Sequence, residues 1–161
     1  MTQRSDVALL LTGNELMSGD TVDSNSSRIA LALGERKIAV GKKITVGDDP
    51  SLLGQSLRDL CCDARVVIIN GGLGPTEDDL TADVVSDVSG AALVTHPKAI
   101  AHLEDWCARR GLDLNASNLK QALLPEGAEL VANPIGSAVG FTLEVGGALV
   151  ITTPGVPSEL T

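Results

Sequence analysis

Val7-Ala-Leu-Leu-Leu-Thr12 is an unbroken apolar run that stops at Gly13. A strand exposed to water on one face would alternate, so this run predicts a strand buried on both faces, as in a parallel sheet. Residues 14–24 are polar and predict a loop. A helix is expected over 25–33, with Ile29, Leu31 and Leu33 inward and Gly34 as its stop. Residues 38–46 predict a second strand. Asp49-Pro50 then reads as a helix start, with Asp as cap and Pro at the first helical position. Leu53, Leu57, Leu60 and Cys61 recur on one helical face behind it. Residues 65–70 repeat the buried-strand pattern and run straight into Gly71-Gly-Leu-Gly-Pro-Thr76. A helix is expected from near Asp79 to Gly90 through Val84, Val85 and Val88. Another runs from His96-Pro97 to Gly111 with Ile100, Leu103 and Cys107 inward, and a short one spans 118–123.

The pattern changes after Pro125. Residues 141–145 and 148–152 flank Gly146-Gly147 and predict a β-hairpin on a two-residue turn. Pro157 is followed by Ser158-Glu159, which read as the start of a helix at which the sequence stops, so the chain is expected to be truncated at or near residue 161. Helices alternating with strands imply one α/β domain over 1–161, with a mostly parallel sheet covered by helices. Ligands of such sheets bind beyond the carboxyl ends of the strands. Three segments lie there: 13–24, 71–79 and 153–158.

Composition narrows the classes of partner. The 161 residues hold 12 Lys and Arg against 21 Asp and Glu, a net charge of −9, and one Trp, one Phe and no Tyr. That balance disfavours nucleic acid, which calls for a basic patch or stacking aromatics, and disfavours an anionic membrane surface. No apolar stretch approaches a spanning length. Cys61, Cys62 and Cys107 fit no zinc or redox spacing; an odd count suits a reducing cytoplasm, and all three read as buried or half-buried helix residues. His96 reads as a helix cap and His102 as a surface residue, so any chemistry falls to carboxylates, hydroxyls, backbone amides and a metal ion.

The 71–79 segment is the richest in such groups. Gly71, Gly72 and Gly74 let backbone N–H groups approach an anion, and Thr76 adds a hydroxyl at the start of a helix. The spacing fits neither a Walker loop nor the dinucleotide fingerprint, so a plain turn stays open beside a phosphate site. Glu77, Asp78 and Asp79 would repel a bare phosphate; a divalent cation would reconcile the two, and helix capping by Asp79 is the alternative. Glu15 and Asp48 also follow strand ends.

Gly71-Gly-Leu-Gly-Pro-Thr-Glu-Asp-Asp-Leu-Thr81 resembles the signature of the competence/damage-inducible CinA family's N-terminal domain, which belongs with MogA and MoaB to the molybdopterin-binding superfamily. Gly13-Asn-Glu-Leu16, Asp23-Ser-Asn25, Asn118-Leu-Lys-Gln-Ala122, Asn133-Pro134 with Gly136, and Pro154-Gly-Val-Pro-Ser-Glu159 agree in order. Asn14 and Asp23-Ser24 depart mildly from the family's usual residues. The resemblance implies a three-layer αβα domain with a small β-hairpin appendage, and a homo-oligomer, dimeric or trimeric. Longer members add a nicotinamide-nucleotide amidase domain with no counterpart in this sequence.

Two functions follow from the resemblance. The first is a metal-dependent hydrolase of the pyrophosphate of ADP-ribose or a related nucleotide. In it Glu15 and Asp78 are catalytic, and a Mg²⁺- or Co²⁺-like cation sits on Glu15, Asp48, Asp78 and Asp79. The alternative is a molybdopterin-binding module of molybdenum cofactor biosynthesis without turnover. Either ligand, a nucleotide or pterin phosphate, would meet Gly13, Asn14, Leu16 and Asn25 on one side. Gly71, Gly72, Gly74, Pro75, Thr76 and Thr81 would hold its phosphate, with Gly136, Ser137, Pro154, Gly155, Pro157 and Ser158 completing the site. Trp106 and Phe141 lie outside these segments, so a ring would rest on backbone and on contacts such as Leu16 and Pro154, or on a neighbouring subunit.

Overall fold

The computed structural model describes residues 4–160. The expected break in the chain at residue 161 falls outside them. The chain runs β1 (Ser5–Thr12), α1 (Asn14–Ser18), α2 (Asn25–Glu35), β2 (Val40–Val46), α3 (Pro50–Asp63), β3 (Ala64–Asn70), α4 (Thr81–Ser89), β4 (Leu93–Thr95), α5 (Pro97–Arg110), α6 (Ala116–Lys120), β5 (Leu123–Pro125), β6 (Glu129–Val131), β7 (Gly140–Val145), β8 (Ala148–Thr153) and a single 3₁₀ turn, Pro157–Glu159. The order in the main sheet is β2-β1-β3-β8-β7-β6, and β4 pairs with β5 separately. β2, β1, β3 and β8 are parallel neighbours, while β7 and β6 are antiparallel additions.

The apolar runs are buried for the reason anticipated. In β1, Ala8 and Leu10 join the core under α3, α4 and α5, whereas Val7, Leu9 and Leu11 pack with Ile29 of α2 on the opposite face. Alternate residues of one strand thus feed two cores, which defines the three αβα layers. The Asp49 side chain accepts from Leu52 N at 2.8 Å, and Pro50 opens α3 as expected. No described helix is long and apolar enough to cross a membrane.

Several local expectations are corrected. Residues 14–18 are a helical turn, not loop, because the Gly13 carbonyl accepts from Leu16 N and Met17 N and Gly19 closes the turn in the left-handed region. Leu31 points outward, 70% exposed, since α2 presents only its Ile29 and Leu33 side to the sheet. The helix after the glycine segment starts at Thr81 rather than near Asp79, and the 118–123 helix is Ala116–Lys120. Leu123–Pro125 leaves it to pair with Leu93–Thr95, and Glu129–Val131 adds an edge strand; runs of three residues are too short to carry a period. The hairpin forms on Gly146-Gly147, but β8 docks beside β3, so it extends the main sheet and the small separate pair is β4–β5. The turn 157–159 is one 3₁₀ turn, not a helix start.

Cys61 and Cys107 are buried, but Cys62 is exposed because the adjacent position on α3 faces away from the sheet. Burial, with the neighbouring Cys62 thiol adding to it against a weaker opposing effect of Arg4, pushes the Cys61 thiol up to about 11. A thiol this protonated and covered is unreactive at neutral pH. Iodoacetamide at pH 7.5 is therefore expected to modify Cys62 alone in the native protein, with Cys61 and Cys107 reacting only in denaturant. Peptide mass spectrometry checks this, and native alkylation of Cys61 ahead of Cys62 would refute it.

Candidate functional site

Register brings the carboxyl ends of three strands level: Leu11 pairs with Asn70, and Asn70 with Thr153. What leaves those ends surrounds a cleft of about 600 Å³. Its floor is the glycine turn. Gly71 and Gly72 have φ of +107° and +69°, and a Cβ on Gly71 would lie 2.6 Å from the Thr12 carbonyl oxygen. Only glycine fits there. Gly71 N donates to Thr153 O, and buried Thr81 donates its hydroxyl to Gly71 O at 2.7 Å and its N–H to Gly72 O at 3.1 Å. The N–H groups of Gly72, Leu73 and Gly74 have no acceptor among the described residues. Consecutive free amides of this kind form an anion-binding concavity.

The turn is fixed from behind by two buried asparagines. Asn70 donates its amide to Thr153 Oγ1 at 3.0 Å and Pro154 O at 2.8 Å. It accepts from Asn25 Nδ2 at 2.9 Å, and Asn25 also donates to Gly155 O at 2.8 Å. Asn25 thereby ties the start of α2 to two strand ends. Lys120 of α6 donates to Asp79 O at 2.7 Å and to Thr76 O, strapping the outer half of the segment.

Of the expected site residues, Gly13, Glu15, Leu16, Asn25, Asp48, Gly71, Gly72, Gly74, Pro75, Thr76, Asp78, Asp79, Ser137, Pro154, Gly155 and Pro157 line the cleft. Four do not. Asn14 is locked reciprocally to Asp48, its N–H donating to Oδ2 and its Oδ1 accepting from Asp48 N, each at 3.0 Å. Thr81 is buried behind the turn, and Ser158 points to solvent. Gly136 backs the wall, where a Cβ would overlap the Glu159 carboxylate.

Asn70, Asp23, Thr21, Val22, Gln121 and Glu159 also line the cleft, beyond the site residues expected from the sequence. Signals for them exist: Thr21, Val22 and Asp23 lie in the 13–24 segment, Asp23, Gln121 and Glu159 in the family-like motifs, and Asn70 closes an otherwise apolar strand. Asp23 caps α2 through Ser26. Partial burial opposes its charge, but hydrogen bonds from Ser26 Oγ and Ser26 N and the Lys43 ammonium at 3.3 Å outweigh it and hold its carboxyl below the usual value.

Among the described residues the carboxylates do not gather into a metal centre. Asp79 accepts from Thr76 N at 2.9 Å and Thr76 Oγ1 at 2.6 Å, and Asp48 accepts from Thr12 Oγ1 at 3.1 Å. Among the described residues no group of three or more His, Cys, Asp and Glu is placed to hold an ion. The expected cation on Glu15, Asp48, Asp78 and Asp79 is not supported by this donor set: Asp79 acts as the turn's cap, and Asp48 as the clasp of the 13–14 corner. His102 is not a free surface residue either, since its Nε2 lies 2.9 Å from Gly136 O. His96 starts α5 without a side-chain cap bond.

A family model described as a probable molybdopterin binding domain matches residues 8–161. The chain belongs to the molybdopterin-binding domain family. Within it the domain is of the CinA type. A CinA-like protein of Colwellia psychrerythraea is 49% identical over 154 residues, covering 96% of this chain and 36% of that protein. One from Geobacter metallireducens is 44% identical over 153 residues, covering 95% of this chain and 37% of the relative. The chain therefore spans little more than a third of these curated relatives. The crystal structure of CinA, of unknown function, from Thermoplasma acidophilum superposes with a TM-score of 0.88 at 32% identity, covering 98% of this chain and 92% of that one. Thermus MoaB, at 17% identity and TM-score 0.63 with 97% and 84% covered, shares the fold. So does the Mog protein of Mycobacterium ulcerans, at 19% and 0.63 with 98% and 88% covered. These findings overturn the expectation of an ADP-ribose pyrophosphatase-type enzyme: the family is a molybdopterin-binding domain, and its relatives are named CinA-like, MoaB and Mog.

Proposed function

We propose that this CinA-type domain is a binding module for a pterin or nucleotide phosphate, held in the cleft at the strand ends. The observation that carries the reading is that Gly72, Leu73 and Gly74, three consecutive residues lining that cleft, have N–H groups with no acceptor among the described residues. They would take the phosphate oxygens, with the Asn25–Asn70 clasp keeping them in place. Leu16, Val22, Pro154 and Val156 offer aliphatic surface for a ring. Family membership supports the pterin, since the matching model is a molybdopterin-binding domain.

The electrostatics add a consequence. Glu15, Asp23, Asp48, Asp78, Asp79 and Glu159 line the cleft, and no described lining residue is lysine or arginine. A phosphate ligand meets repulsion there, which salt screens. Calorimetric titration with neopterin monophosphate is expected to show saturable one-to-one binding that tightens about threefold from roughly 10 to 150 mM NaCl. Absence of saturable heat, or affinity that collapses with salt as at a basic site, would refute the reading.

A further inference from the structure

Acceptors surround the cleft, in the carboxylates of Glu15, Asp23, Asp48, Asp78, Asp79 and Glu159, whereas the glycine turn adds N–H groups without a protein acceptor among the described residues. Ser137 and Ala138 bring the 133–138 segment into one wall of the cleft. Buried Asn133 accepts from Ile135 N at 3.2 Å and Gly136 N at 3.1 Å, and donates to Ala138 O at 2.7 Å and Glu159 Oε2 at 2.8 Å. From outside, His102, Trp106 and Arg110 stand one above another on α5. Trp106 Nε1 and Arg110 Nη2 donate to Ile135 O at 3.3 and 3.1 Å, His102 Nε2 lies against Gly136 O, and Arg110 stacks 4.3 Å from the Trp106 ring centre. An irregular segment tied this heavily is positioned for a purpose beyond connecting two strands.

Two side chains packed against this segment, Glu159 and Gln121, keep spare acceptor capacity. Glu159 has one oxygen on Asn133 and no cation: the described ion pairs are Lys42–Asp63, Lys43–Asp23 and Arg109–Asp105. Its carboxylate sits over Gly136, where any side chain would displace it. Gln121, only 6% exposed, gives both amide hydrogens to Leu73 O at 3.3 Å and Ser137 Oγ at 3.1 Å, which leaves Oε1 with no partner. A buried acceptor left unpaired costs about 1–3 kcal/mol, and native structures keep such groups where something else completes them.

We propose that Glu159 is the specificity-determining residue of the cleft, accepting two N–H groups from a 2-amino-4-oxopyrimidine edge, with Gln121 as the adjacent acceptor. That edge presents an amino group and a ring N–H side by side, the geometry a carboxylate receives bidentately. It is shared by pterin and guanine. The proposal rests on the reading of the cleft as a phosphate-ligand site and adds the direction of the ligand in it: phosphate on the glycine turn, ring edge on the 133–138 wall.

The test titrates the protein with neopterin monophosphate, GMP, IMP and inorganic pyrophosphate, for the wild type and for Glu159→Gln. IMP lacks the 2-amino group. Wild type is expected to bind neopterin monophosphate or GMP at least tenfold tighter than IMP, and the better of the two identifies the ring. Glu159→Gln is expected to erase that preference while leaving pyrophosphate within twofold, since the turn is untouched. Equal binding of GMP, neopterin monophosphate and IMP by wild type would overturn the assignment while the phosphate site stands. Uniform weakening of all ligands in Glu159→Gln would overturn it too. Failure of wild type to bind any of the four would remove the site itself and this inference with it.

Discussion

Gly71→Val is expected to abolish ligand binding and to destabilise the fold by about 3 kcal/mol. The position combines φ of +107° with a neighbouring carbonyl, Thr12 O, that would sit 2.6 Å from a Cβ. A β-branched side chain is strained in that region before any clash is counted. Neither partner can retreat, because β1 and β3 are paired up to Leu11 and Asn70. Relief must come from the turn itself, which carries Gly72, Leu73 and Gly74 away from the cleft floor. Urea denaturation reads the stability and the calorimetric titration reads the binding. A variant that loses stability but binds normally would show that the turn does not hold the ligand.

Phe141→Ala is expected to be the most destabilising single substitution, at about 3–5 kcal/mol. Phe141 is fully buried on β7 and is the largest side chain in a core otherwise built from Leu, Ile, Val, Ala and Cys61. With no other aromatic residue in that core, the aliphatic neighbours cannot refill a benzyl-sized void. In a domain of this size the loss corresponds to a fall of about 10 °C in melting temperature. Phe141 lies outside the cleft, so the folded fraction should bind as wild type does. A fall of less than about 2 °C by calorimetry, or a selective loss of affinity, would contradict this.

The two buried strands were legible because they are buried twice over. Residues 7–12 and 65–70 are apolar without alternation, and that pattern has few structural meanings in a chain of this length. Asp49-Pro50 was equally plain, since cap and first-turn chemistry are local. Leu93–Thr95, Leu123–Pro125 and Glu129–Val131 were not, since their pairing is decided by partners distant in sequence. The hairpin was found, but its place against β3 is a tertiary fact with no local mark.

The same division holds in the cleft. The glycine turn announced itself by composition. In the sequence Asn25 is marked only by the family resemblance and Asn70 only as the end of a strand, because a buried amide clasp depends on two residues 45 positions apart. Asp48 and Asp79 lie where a cation was expected; both oxygens of Asp48 and Oδ2 of Asp79 accept from Thr12, Asn14 and Thr76, so local capping and turn closure suffice to account for these two carboxylates. The local pattern at Glu159 reads as a helix start, and only the folded chain brings it to Gly136 and the 133–138 wall.

The central claim is that the free amides of the glycine turn receive the ligand. The most direct measurement is an ¹H–¹⁵N correlation spectrum of the labelled protein during titration with neopterin monophosphate. The account predicts that the amide resonances of Gly72, Leu73 and Gly74 shift furthest and exchange more slowly with solvent at saturation. Saturation with those three resonances unmoved, while others elsewhere shift, would contradict it.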